Sequence, residues 1–90
     1  MVYYRGDAMK KSVLIILIDK RKEEAVKVQQ ILTFWGCLIK TRLGIHDGVL
    51  DKCSNHGLII LELVGADTKK KEMTRKLNLL KGVKAKLVNI

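Results

Sequence analysis

The chain of 90 residues has no proline and only four aromatic side chains, Tyr3, Tyr4, Phe34 and Trp35. Without proline, and with 48% hydrophobic and 30% charged residues, it does not have the composition of a disordered tail and is expected to be a compact soluble domain. The few aromatics do not alternate with basic residues on a strand-like run, so the base-stacking surface of a sheet that reads RNA is missing. Cysteine is also scarce, at Cys37 and Cys53 only. Met1 to Lys11 is polar and does not resemble a secretion signal, so free thiols in the cytoplasm are expected rather than a bridge. The longest apolar run, Val13 to Ile18, is far below the roughly 20 residues needed to cross a bilayer, so no membrane segment is expected.

Acidic residues are half as numerous as basic ones, nine against eighteen, for a formal charge of +9. Such a charge concentrates anionic partners, whether nucleic acid, a phosphate ligand or an acidic protein, without choosing among them. Solvated helix faces account for most of it. A chain of this length makes one domain with one modest core, and an oligomeric partner would help it materially.

Residues 1–11 have no sustained period and contain the breaker Gly6, so they read as a flexible N-terminal extension to a single domain over residues 12–90. That domain opens with Ser12 to Ile18, apolar on both faces as a covered central strand would be. From Arg21 to Trp35 the period changes, and Ala25, Val28, Leu32 and Trp35 form one helical stripe. Gly36 is expected to end this helix in the left-handed conformation. In Cys37 to Leu43, alternation places Cys37, Ile39, Thr41 and Leu43 on one face and Lys40 and Arg42 on the other, a half-buried edge strand with Cys37 as a small core residue.

Leu58 to Val64 is a second strongly apolar strand ended by Gly65. Asp67 or Thr68 then caps a second helix that buries Met73, Leu77 and Leu80 and closes at Lys81-Gly82. Val83 to Val88 alternates as a final, more exposed strand. The order strand, helix, strand, strand, helix, strand is that of an α+β ferredoxin-like βαββαβ sandwich, a four-stranded antiparallel sheet with two helices on one face. In that topology the first and third strands are central, and here they are the two runs with the fewest charges.

Two helices cover one face only. Either Val13, Ile15 and Leu17 or Leu14, Ile16 and Ile18 must therefore point away from them, joined by a similar set from Leu58 to Val64. Each such side chain stands to gain about 1.5 to 3 kcal/mol from full burial, so the second face is expected to join copies into a homodimer or higher homo-oligomer.

The stretch GIHDGVLDKCSNHG (44–57) gathers both histidines, Asp47, Asp51 and Cys53. As a metal site it would use His46, Asp47 or Asp51, Cys53 and His56, whose imidazole and thiolate donors suit zinc or another borderline metal. Cys53 and His56 form one C-x-x-H pair, with no second close pair facing it. A cysteine-histidine nucleophile would need an oxyanion pocket that a polar loop between Gly48 and Gly57 does not offer. Asp47-Gly48 and Ser54 to Gly57 have turn chemistry, and a long hairpin loop explains every residue. No phosphate-cradling glycine motif is present. Lys69 to Lys71 fall in the first turns of a helix, where the dipole disfavours positive charge, so they either meet a partner or serve solubility.

Arg42-Leu43-Gly44-Ile45, then Gly57-Leu58-Ile59-Ile60-Leu61, and finally Lys76 to Lys86 (KLNLLKGVKAK) together resemble the small stand-alone proteins called iron-only hydrogenase system regulators. These are themselves similar to the ACT domain and to the C-terminal domain of the nickel-responsive repressor. The resemblance runs from about Lys11 to Ile90. It implies an ACT-like, ferredoxin-like fold, homo-oligomers, a sensory or regulatory role and no established catalytic activity; no cofactor is expected. It also puts a ligand-binding expectation on Arg42, Gly44 and Ile45. Family members cross to the third strand by a shorter loop, so His46 to His56 has no counterpart in them, and the repressor's metal ligands cannot be laid over this chain.

The leading expectation is therefore a non-enzymatic oligomeric domain that responds to a small-molecule effector or a regulatory protein partner. Two alternatives stand beside it, a metal-responsive sensor using the 46–56 loop and a weak basic nucleic-acid-binding module.

Overall fold

The computed structural model describes residues 10–19, 21–46 and 56–90, with the side chains of residues 21, 22, 45 and 46 excluded. Most of the expected N-terminal extension and most of the 46–56 loop, Cys53 included, lie outside the described residues.

The elements run β1 (Ser12–Ile18), α1 (Arg21–Phe34), β2 (Ile39–His46), β3 (Gly57–Leu63), α2 (Asp67–Asn78) and β4 (Val83–Asn89). They form one antiparallel sheet in the order β2-β3-β1-β4, the ferredoxin-like arrangement expected from the sequence. β1 pairs with β3 from Ser12 opposite Leu63 to Ile18 opposite Gly57. On its other side it pairs with β4, from Ser12 opposite Asn89 to Ile18 opposite Val83. The most apolar run is thus bonded on both edges, where a charged side chain would be hardest to solvate.

The register decides which face of β1 is covered, which periodicity alone could not. Leu14, Ile16 and Ile18 are buried with Ile59, Leu61 and Leu63 of β3 and with Val28, Leu32, Met73 and Leu77 of the helices. Each of the fully buried aliphatic side chains contributes about 1.5 to 3 kcal/mol through removal from water. The stripe expected on α1 holds at Val28 and Leu32, with Trp35 packed at its margin. Glu23 and Glu24 in the first turn of α1 complement the helix dipole.

Four local expectations are corrected. Gly36 does not end α1 in the left-handed region; Gly36–Leu38 form a turn of 3-10 helix. That turn replaces the two-residue period with a three-residue one, so Leu38 is buried and Cys37 exposed, the reverse of the expected burial at Cys37. Leu38 O accepts from Val64 N at 2.8 Å, which fixes the turn against the end of β3. β2 then begins with a register irregularity between Ile39 and Thr41. This splits the face expected to unite them: Ile39 packs against the core, while Thr41 and Leu43, opposite Glu62 and Ile60, face away.

At α2 the N-cap is Ala66, which has no side chain to bond the first amides, and Asp67 is already helical. α2 ends at Asn78, and Gly82 (φ 75°) reverses the chain just before β4, a conformation open to glycine at little cost.

Candidate functional site

The sheet face away from the helices carries an apolar set that no described element covers. Val13, Ile15 and Leu17 of β1 alternate outward because Leu14, Ile16 and Ile18 alternate inward. Leu58 and Ile60 of β3 stand opposite Leu17 and Ile15, and Leu43 of β2 extends the patch beyond Ile60. Ile15 is 36% exposed, Leu17 50% and Leu43 52%. Across β1 from this patch, Lys86 stands opposite Ile15 and Lys84 opposite Leu17, so the apolar area is bordered on the β4 side by cations. Glu62 shares the outer face, and its Oε2 accepts from Lys11 Nζ at 3.2 Å. No aromatic residue lies on β1 or β3, and a nucleic-acid reading of this face would therefore lack stacking platforms.

The residues given a ligand-binding expectation are spread along β2. Arg42 is exposed and stands opposite Leu61, so it projects from the helix side of the sheet, not the outer apolar face. Gly44 stands opposite Ile59, and a Cβ there would meet nothing within 4 Å. Its lack of a side chain is therefore not forced by crowding. Ile45 stands opposite Leu58, and its side chain lies outside the described residues.

Of the proposed metal ligands, Cys53 and the side chain of His46 lie outside the described residues. His56 is exposed at the start of β3, and its Nε2 donates to Asp19 Oδ1 at 2.7 Å. Asp19 is set there by the end of β1 and by its own backbone N, which donates to Gly82 O at 2.7 Å. Together with Leu17, Gly82 and Lys84 this pair lines a cleft of about 480 Å³. Among the described residues, no three His, Cys, Asp or Glu side chains are grouped as metal ligands would be. The pairing of Asp19 with His56 spans two strand ends, and no sequence spacing announces it.

Lys70 is the other residue that the sequence did not single out from its neighbours. Lys69 and Lys71 are exposed, whereas Lys70 is buried at the opposite end of the sheet, where its Nζ donates to Ser12 Oγ at 2.8 Å. The dipole-opposed lysine run was the available signal. Which of its three members turns inward depends on helical phase, since Lys70 lies three and seven residues before the core positions Met73 and Leu77. No helix among the described residues is long and apolar enough to cross a membrane.

No protein-family model matches the chain. No curated protein sequence matches it either. Among solved structures, an uncharacterized protein from Thermotoga maritima is similar over 90% of this chain and 98% of its own, with a TM-score of 0.75 and 24% identity. The protein CPII of Thiomonas intermedia, solved bound to ADP, AMP and acetate, is similar over 90% of this chain and 86% of its own, with a TM-score of 0.56 and 10% identity. A dimeric ferredoxin-like protein from an uncultured marine organism matches 90% of this chain and 92% of its own, with a TM-score of 0.50 and 8% identity. At these identities the shared property is the ferredoxin-like fold.

Proposed function

We propose that the chain is a non-enzymatic regulatory or ligand-sensing domain that works in the cytoplasm as a self-associated unit, joined through the outer face of its sheet. The carrying observation is the apolar set Val13, Ile15, Leu17, Leu43, Leu58 and Ile60 on a face that neither helix covers. A second copy of the same patch is the simplest cover, because a twofold pair matches apolar centre to apolar centre. Four strands of seven or eight residues present a face of roughly 450 Å² at standard spacings. Two copies would therefore bury roughly 900 Å² or somewhat more, the low end for a specific contact.

The fold's other occupants support the reading by precedent, since one is described as dimeric and another was solved with small anionic ligands bound. The more specific reading, an iron-only hydrogenase system regulator with an ACT-like ligand response, rests on the sequence resemblance between Lys11 and Ile90. A regulator of this size would act through a small effector or a regulatory protein partner. Light scattering across a protein-concentration and salt series tests the association directly. A dimer or larger species that persists at high salt is expected. A monomer at tens of micromolar, or catalytic turnover traced to Cys53 or His56, would overturn the reading.

A further inference from the structure

Lys70, on the first turns of α2, is only 7% exposed. An ammonium group in such a place has lost most of its hydration, a large cost unless an opposite charge and hydrogen bonds replace it. Here the replacement is partial. The nearest partner is the neutral Ser12 Oγ at 2.8 Å. Among the described residues the ion-pair partner of Lys70 is Asp67, whose Oδ1 is 3.7 Å away on a side chain that stands mostly in water. Ser12 Oγ in turn donates to Asn89 Oδ1 at 2.7 Å, which turns its lone pairs toward Lys70. The Ser12–Asn89 pair thus holds Nζ in position without neutralising it, and among the described residues Ser12 Oγ is the one hydrogen-bond acceptor that Nζ reaches.

Lys70 borders a cleft of about 660 Å³ where the start of β1, the ends of β3 and β4 and the start of α2 meet. Lys10 and Lys11 line the same cleft, and Leu63 and Val64 give it an apolar wall. Lys11 is engaged by Glu62, which leaves Lys10 and Lys70, among the described lining residues, against one side-chain carboxylate, that of Asp67. The start of α2 adds to this imbalance. The amides of Lys69 and Lys70 both return to Ala66 O at 3.1 Å, and no side chain caps the helix. The amides before these two, of Asp67 and Thr68, have no carbonyl one turn back to bond, and they present the positive end of the helix. A buried lysine beside that end is unfavourable in isolation, and an anion in the cleft would reverse the sign of both effects.

We propose that this cleft binds a small organic anion, with its phosphate or carboxylate group held by Lys70 Nζ and the first amides of α2, Lys10 at the rim and its carbon skeleton against Leu63 and Val64. The proposal names the ligand class for the sensing part of the function above and rests on that reading. Its site lies at the opposite end of the sheet from the Asp19–His56 cleft.

The test is a titration of the ¹⁵N-labelled chain with inorganic phosphate and, separately, with succinate, at ionic strength held constant with chloride. Saturable amide shifts at Ser12, Asp67 to Lys70 and Asn89 are expected for at least one of the two, and the one that saturates at lower concentration identifies the anionic group. Lys70→Met keeps the buried stem and removes the charge, and it should weaken the response about tenfold or more, as loss of a charged hydrogen bond does. Lys71→Met makes the same charge change on an exposed neighbour and should leave it within about twofold. Shifts that stay linear through the millimolar range, an undiminished response in Lys70→Met, or an equal loss in Lys71→Met would each overturn the site. Should Lys70→Met fail to fold, Ser12→Ala, which frees Nζ from its anchor, must weaken the same response. Light scattering on the same samples reads association separately, so an oligomer that ignores both anions would remove this site and leave the sheet-face reading standing.

Discussion

Asn78 and Ala85 exchange two hydrogen bonds: Asn78 Nδ2 donates to Ala85 O at 2.9 Å, and Ala85 N donates to Asn78 Oδ1 at 2.8 Å. The amide at the last residue of α2 thereby mimics a strand and occupies the middle of the open edge of β4. A sheet edge with free N–H and C=O groups invites pairing with another chain. This one is partly closed from within, which disfavours pairing along the β4 edge.

Asn78→Ala should therefore do two things. It should lower the stability by about 1 to 2 kcal/mol, since two exposed hydrogen bonds are lost. It should also raise the tendency of the protein to aggregate through β4. Urea denaturation measures the first effect, and light scattering before and after addition of a charged residue on β4 measures the second.

Leu17→Arg places a charge on the outer face, near the end of β1, on a side chain that makes no part of the core. In a symmetric pair the change is counted twice. With about 1.5 to 3 kcal/mol lost for each leucine, the dissociation constant should rise roughly a hundredfold or more. Lys69→Ala, on an exposed position of α2, should leave the association unchanged. Because its driving force is hydrophobic and two chains of charge +9 repel, added salt should strengthen the wild-type contact.

Gly65 has φ 101°, and a Cβ built on it would lie 2.8 Å from Leu38 Cδ2. Gly65→Ala should cost about 1 to 3 kcal/mol, from backbone strain and from the displacement of a buried side chain. Thermal or urea unfolding measures it. A null effect would mean that the turn after β3 can relax without disturbing the 3-10 segment to which Val64 is bonded.

Glu72 accepts two hydrogen bonds from Arg75, at 3.1 Å from Nε and 2.7 Å from Nη2. That bonding holds its carboxyl below the usual carboxylate range against an opposing effect of desolvation, with the charges of Arg75 and Lys76 adding in smaller measure. The same bond raises Arg75. A depressed carboxyl stabilises the fold above its unfolded pKa, and the contribution is lost as pH falls through the lower folded value. Arg75→Ala should return Glu72 to the ordinary range in an NMR pH titration. On so exposed a pair the change in overall stability should be slight.

Composition and period reveal the elements but not their facing. Ser12 to Ile18 and Leu58 to Val64 announce two central strands by being apolar throughout, and that same uniformity hides which alternate set is inside. Alternation would bury Cys37 with Ile39 only if the strand began at Cys37, whereas a three-residue turn intervenes and brings Leu38 inward. Thr41 and Ile39 fell on opposite faces because a bulge adds one residue, and no side chain marks it. At the candidate sites, Asp19 meets His56 and Ser12 meets Lys70 across long separations in the chain. Such contacts follow from strand order, so they become visible only once the sheet is assembled. The outer apolar patch was the exception, since either parity required one.

The position of β1 between β3 and β4 also sets a timetable. Ile18 must find Gly57 on one side and Val83 on the other, the second of them roughly 65 residues later, so at common synthesis rates β1 waits roughly 3 to 13 s before its last neighbour exists. During that interval its two apolar faces and at least one open edge are available to any other chain. Slow folding is expected from such distant pairings, and newly made protein should depend on chaperones more than its small size suggests.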